Sequence, residues 1–149
     1  MNVISQTPTI SAASAYTAGD AVGGKLTFTG CPTEGYVEGV TIVDIDEEGP
    51  ELNLVLFAAD FTAVADNAAF DVTAGEETRV IGVVNIASGD FKDVGGCKVA
   101  TKGNLKIPFK LTETAAAKRG RIYGQLVTAG TPTYTTTADL IISIGVLSA

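Results

Sequence analysis

The stretch Leu140-Ile141-Ile142-Ser143-Ile144-Gly145-Val146-Leu147 leaves this chain few structural options. At period two, Leu140, Ile142, Ile144 and Val146 fall on one side and Ile141, Ser143, Gly145 and Leu147 on the other. One face is therefore wholly apolar and the other only partly so, which predicts a central strand of a sandwich. Upstream, Ile122, Gly124 and Leu126 alternate with Tyr123, Gln125 and Val127 in a second β-rich run. Gly130-Thr131-Pro132 ends that ladder, because Pro132 has no N–H to donate, and the chain must turn there.

The same reading applied upstream gives more short strands and no segment with helical period. Leu52 to Phe57 is apolar on both faces and predicts a second central strand, while Lys25 to Thr29, Tyr36 to Asp46 and Arg79 to Ile86 are further β runs, with a short one at Ala69 to Val72. Cys97 to Thr101 and Leu105 to Leu111 are separated by Lys102-Gly103-Asn104, which predicts a tight hairpin. Pro108, flanked by the outward Lys106 and Lys110, places the second arm at a sheet edge. Ala115 to Ala117 supports at most one helical turn. The expected fold is all-β, a two-sheet β-sandwich of jelly-roll-like topology, with residues 22–149 as its single domain. A chain of 149 residues buries roughly 68 to 70% of its unfolded surface, enough for a core without staples.

Residues 1–21 alternate weakly and are rich in Ser, Thr and Ala. They are expected as an extended N-terminal arm whose apolar members, Val3, Ile4, Ile10 and Tyr16, want burial on the domain or on a neighbour, the alternative being a frayed terminus. Tyr134, set among Thr131, Thr133, Thr135, Thr136 and Thr137 beside Pro132 in an exposed-looking loop, reads either as an aromatic anchor of the kind enriched at protein interfaces or as a loop tyrosine folded back on its own sandwich. These six residues are the candidate partner-binding set.

Chemistry has little to work with. There is no histidine, which removes the usual general base and the commonest metal ligand. Cys31 and Cys97 cannot make a tetrahedral zinc site and are expected as two reduced thiols. Asp44, Asp46, Glu47 and Glu48 lack the spacing of a calcium loop and read as a solvated turn. No phosphate-cradling glycine motif is present, so neither a catalytic residue nor a cofactor is expected. A net charge of −7 repels phosphate backbones, which argues against nucleic acid, and no apolar run reaches the ~20 residues of a membrane-spanning helix. Residues 1–6 lack the basic start and apolar segment of a secretory signal, so the mature protein is expected to begin where its gene does. With 46% apolar and only 18% charged residues, a sizeable apolar surface is expected to be shared with a partner.

Several strings also carry a family likeness. Leu126-Val127, Gly130-Thr131-Pro132-Thr133-Tyr134 and Asp139-Leu140 form one group, with Ala18-Gly19-Asp20-Ala21-Val22-Gly23-Gly24, Leu26-Thr27-Phe28, Asp66-Asn67-Ala68-Ala69-Phe70, Ile81-Gly82-Val83-Val84 and Ile107-Pro108-Phe109-Lys110 upstream. Together they span nearly the whole chain and resemble the decoration, or cement, proteins of tailed bacteriophages. The resemblance implies a structural virion protein made in the host cytoplasm, carried on the outer surface of the capsid, and bound to the major capsid protein as a homotrimer. The alternative is a carbohydrate-binding or adhesion module, since sandwiches also serve as lectins; the absence of tryptophan weighs against it.

Overall fold

The computed structural model describes residues 1–149, which form ten strands in two antiparallel sheets. The strands are β1 (Asn2–Gln6), β2 (Ala21–Thr29), β3 (Glu34–Asp44), β4 (Leu52–Phe57), β5 (Val80–Ile86), β6 (Phe91–Asp93), β7 (Lys98–Lys102), β8 (Ile107–Lys110), β9 (Arg121–Thr128) and β10 (Leu140–Ser148). One sheet has the order β1-β10-β3-β7-β6, with β8 also paired to β3, and the other the order β2-β9-β4-β5.

Both predicted central strands lie inside their sheets, β10 between β1 and β3, and β4 between β9 and β5. Leu140, Ile142, Ile144 and Val146 are buried on one face of β10. They meet Leu54, Val84 and Leu126 from the opposite sheet in one continuous core, so the sheets pack face to face as a sandwich. The outer face of β4 is buried too. Val55, Phe57, Phe61 and Tyr123 form a second apolar cluster, packed against Ala63, Phe70 and Val72 of the long β4–β5 connection. Phe57 and Phe61 stack there with ring centroids 3.8 Å apart.

Three expectations meet a different outcome. Residues 69–72 form no strand; a single bridge joins Ala69 to Asp20, and the Ala21 N–H donates to the Ala68 carbonyl at 2.8 Å. Residues 102–104 make no hairpin, because β7 and β8 both pair with β3, one after the other along the same side. Lys102 opposes Val40 and Ile107 opposes Val37, so four intervening residues span what two cover on β3. The turn-like sequence produces a bulge, with Asn104 and Lys106 at positive φ and the Leu105 N–H donating to the Glu38 carbonyl at 3.0 Å. Pro108 nevertheless sits at an edge, since β8 has no partner beyond β3.

The third difference concerns residues 1–21, expected as an extended arm. Residues 2–6 are an edge strand paired to β10, with Ile4 opposite Ile144 and packed against the core. Residues 10–16 are then bonded to the β9–β10 loop. The Ile10 N–H donates to the Thr137 carbonyl at 3.1 Å, that of Ala13 to Tyr134 at 2.7 Å, and that of Tyr16 to Pro132 at 3.0 Å. Ile4, Ile10 and Tyr16 find burial within their own domain while Val3 stays exposed, and the weak alternation marks edge position rather than detachment.

Candidate docking face

Register assigns the outward positions of the six-stranded sheet in rows. Ile141, Val43 and Val99 lie side by side across β10, β3 and β7; Ser5, Ser143, Thr41 and Thr101 form the next row, then Val3, Gly145 and Gly39, then Leu147, Tyr36 and Pro108. Ser5 and Ser143 share a hydrogen bond of 2.7 Å between hydroxyls. These rows are hydroxyl and apolar throughout. Charge appears only around them: Lys92 ends the first row on β6, Glu38 stands at the bulge, and Glu34 opposes Lys110 beyond the last row.

Because Gly39 and Gly145 sit side by side, the third row is a trough, walled by Val3 and partly filled by Met1, whose Sδ lies 3.0 Å from where a Cβ of Gly145 would be. The groove holds about 220 Å³, below the roughly 300 to 1,000 Å³ of small-molecule sites. Met1, Val3, Tyr36, Ile45 and Leu147, most of the large apolar side chains left exposed, belong to this side of the molecule. The opposite sheet has no comparable face, because residues 58–79 pack over β4 and β9 and leave Val83 of β5 exposed beside them. An uncharged, partly apolar, shallow face is suited to a flat macromolecular surface rather than to catalysis.

The six expected partner-binding residues divide. Val3 lies on this face and is 65% exposed, and Ile4, its neighbour, points into the core. Ile10, Tyr16, Pro132 and Tyr134 are brought together but buried, so they do not offer themselves to a partner. Tyr134, set in a loop expected to be exposed, has no solvent-accessible surface and meets the Tyr16 ring edge-on at 6.2 Å. Its loop is polar, but residues 10–16 fold over it. Burial pushes the Tyr134 hydroxyl far above the ordinary tyrosine range, helped by the nearby Asp44 carboxylate, and that hydroxyl has no hydrogen-bond partner.

Three polar anchors escaped sequence reading. Asp66 accepts from the Ser11 hydroxyl (2.5 Å), the Tyr16 hydroxyl (2.6 Å) and the Gly23 N–H (2.6 Å), tying residues 11–16 to β2. Burial, then the Asp66 bond, raises Tyr16 to about 12. Gly23 has φ +77°, and a Cβ there would lie 2.7 Å from Pro8, so glycine is required for this approach. Gln125, fully buried, accepts from the Val64 N–H at 3.1 Å and donates to the carbonyls of Val64 (2.7 Å) and Gly23 (3.0 Å). Asp60 receives Lys118 at 2.7 Å and also Lys25, whose ammonium lies 5.3 Å from the Phe61 ring centroid. Those two cations, Lys118 foremost, hold its carboxyl at about 2. A buried Gln inside an apolar run, Gln125 in Ile-Tyr-Gly-Gln-Leu-Val, was the one available signal.

The acidic run is a turn in which Asp44, fully buried, accepts from the N–H groups of Gly49 (2.8 Å) and Asp46 (3.1 Å). No three Cys, Asp or Glu side chains converge as metal ligands would. Cys31 and Cys97 are both free. Neither the family models nor the curated proteins compared with this chain give a match.

Proposed function

We propose that this chain is a structural virion protein that decorates the outside of a tailed-bacteriophage head. It binds the major capsid protein through the outer face of the six-stranded sheet, self-associates as a homotrimer, and stabilises the shell by bridging capsid subunits. The observation that carries the reading is the uncharged face itself: in a chain of net charge −7, the rows from Ile141 to Leu147 are free of charge and left uncovered. The family likeness of the sequence supplies the partner. A jelly-roll reading is supported by the strand order, in which β1-β10-β3-β7 faces β2-β9-β4-β5. A rigid sandwich contributes by burying surface on several capsid subunits at once, and an oligomer multiplies each weak contact through effective concentration. Of residues 1–21, Met1, Val3 and Ser5 would touch the shell, as part of this face.

The experiment mixes decoration-free heads with Ser143→Glu and Thr41→Glu variants and follows occupancy by sedimentation. A carboxylate in the middle of a desolvated contact is expected to lower affinity at least about tenfold, the equivalent of 1.4 kcal/mol. Thr73→Glu, in the connection covering the other sheet, should bind as the parent does. Full occupancy by both face variants would refute the reading.

A further inference from the structure

Every sheet edge presents N–H and C=O groups to any strand that approaches, and edges are ordinarily protected by charge, proline, bulges or cover. Most edges here are protected. The β2 edge is bulged between Val22 and Leu26 and covered by residues 66–68, whose backbone bonds to Ala21. β6 has three residues, among them Lys92 and Asp93, and β8 carries Pro108 with Lys110 beside it. β5 is bulged at Ile81, between the pairs Leu56–Gly82 and Phe57–Val80, and has no other of these devices. It reads Val-Ile-Gly-Val-Val-Asn-Ile, without charge or proline, and it is seven residues long. The Val80 N–H is taken by the Glu77 carbonyl, but no backbone hydrogen bond other than those to β4 reaches residues 81–86, and Val83 is 55% exposed. β1, Asn-Val-Ile-Ser-Gln, is equally uncharged and pairs only with β10; of its outer groups, the Ser5 carbonyl takes the Gln6 side chain.

These two uncharged edges lie on opposite flanks. β1 ends the six-stranded sheet over β2, and β5 ends the four-stranded sheet beside β8. We propose that the β5 edge of one copy pairs with the β1 edge of the next, head to tail, so that the chains close into a ring joined by backbone hydrogen bonds. A strand edge selects a strand, and a second copy of this chain supplies one free of charge, so the acidic surfaces are not driven together at the contact. Two-fold pairing of β5 with β5 would leave both β1 edges open to further association. Head-to-tail pairing uses both uncharged edges, and it closes as a ring rather than an open filament when each copy is turned from the last by a whole fraction of a circle. This inference takes the self-association proposed above and names its contact; it does not depend on which shell the face binds.

Amide hydrogen exchange of the full chain at low and high protein concentration, alongside light scattering, tests it. On association, amides of both β5 and β1 should slow at least about tenfold beyond their rates in the monomer. Val83→Lys should raise the concentration of half-assembly at least about tenfold, because a lysine on an edge strand opposes pairing, while the monomer melts as before. A chain that stays monomeric at every concentration overturns the inference. So does an oligomer whose β5 and β1 amides keep their monomer rates, in which case self-association survives through another surface. Protection of β5 alone means two-fold pairing and overturns the ring. Head binding by a chain that forms no ring would leave the shell-docking proposal intact.

Discussion

Asp66 is the point at which residues 11–16 are fastened to the sandwich, and a double-mutant cycle with Tyr16 measures how firmly. Tyr16→Phe removes the 2.6 Å bond to the carboxylate and leaves the Ser11 N–H, which donates to the Tyr16 hydroxyl at 2.8 Å, without an acceptor. A hydrogen bond to a charged group contributes about 1.5 to 3 kcal/mol, so a loss near 2 kcal/mol is expected. Asp66→Ala removes three such bonds and deprives a tyrosine hydroxyl on a residue 1% exposed of its acceptor. Asp66 itself is half-buried, so water restores part of this, and a cost of about 3 to 4 kcal/mol is expected. Once the carboxylate is gone, the Tyr16 hydroxyl has lost most of its use. The double variant should therefore be less destabilised than the sum of the single ones by about 1 to 2 kcal/mol, read from urea melts at constant m. Additivity within about 0.5 kcal/mol would refute the claim that the two act as one fastening.

Leu54→Ala and Ile142→Ala, on interior strands of the two facing sheets and both fully buried, should each cost about 2 to 5 kcal/mol in the same melts, and less than about 1 kcal/mol for both would mean that the core lies elsewhere. Asp60 gives a pH signature. Its carboxyl is held at about 2, below the ~3.9 of an unfolded chain, so its contribution is fully present above about pH 4 and lost as pH falls towards about 2. After discounting for solvent screening that contribution is about 1 kcal/mol, so Asp60→Asn should melt earlier than the parent at neutral pH and converge with it in acid. Parallel acid profiles of the two proteins would refute it.

The strands that sequence reading finds well are those whose pattern is decided by burial on their own faces. Leu52 to Phe57 and Leu140 to Leu147 carry enough apolar residues to mark a central strand whatever surrounds them. β1 is harder to see because it is justified by a partner 140 positions away: Ile4 is a core residue only once Ile144 is beside it. Tyr134 fails for the same reason, since five nearby threonines announce a wet loop and residues 10–16 make it dry. Lys102-Gly103-Asn104 contains genuine turn chemistry, yet the long β3 offers both flanking runs a place on one side, so the turn becomes a bulge. The rows of the docking face are readable only after register is known, because Gly39 and Gly145 mean nothing apart and form a trough together.

The pairing of β1 with β10 also governs when the molecule can be finished. Asn2 opposes Val146 and Gln6 opposes Ile142, so the first of the ten strands has its only sheet partner in the tenth. Contacts this distant in sequence are slow to form, because the loop must close before any of them rewards it. On a ribosome the sandwich would wait with one sheet lacking its interior strand, and β3 without the neighbour it meets along nine positions. The sandwich is thus completed only once β10 is in place, and until then β1 has no sheet to join.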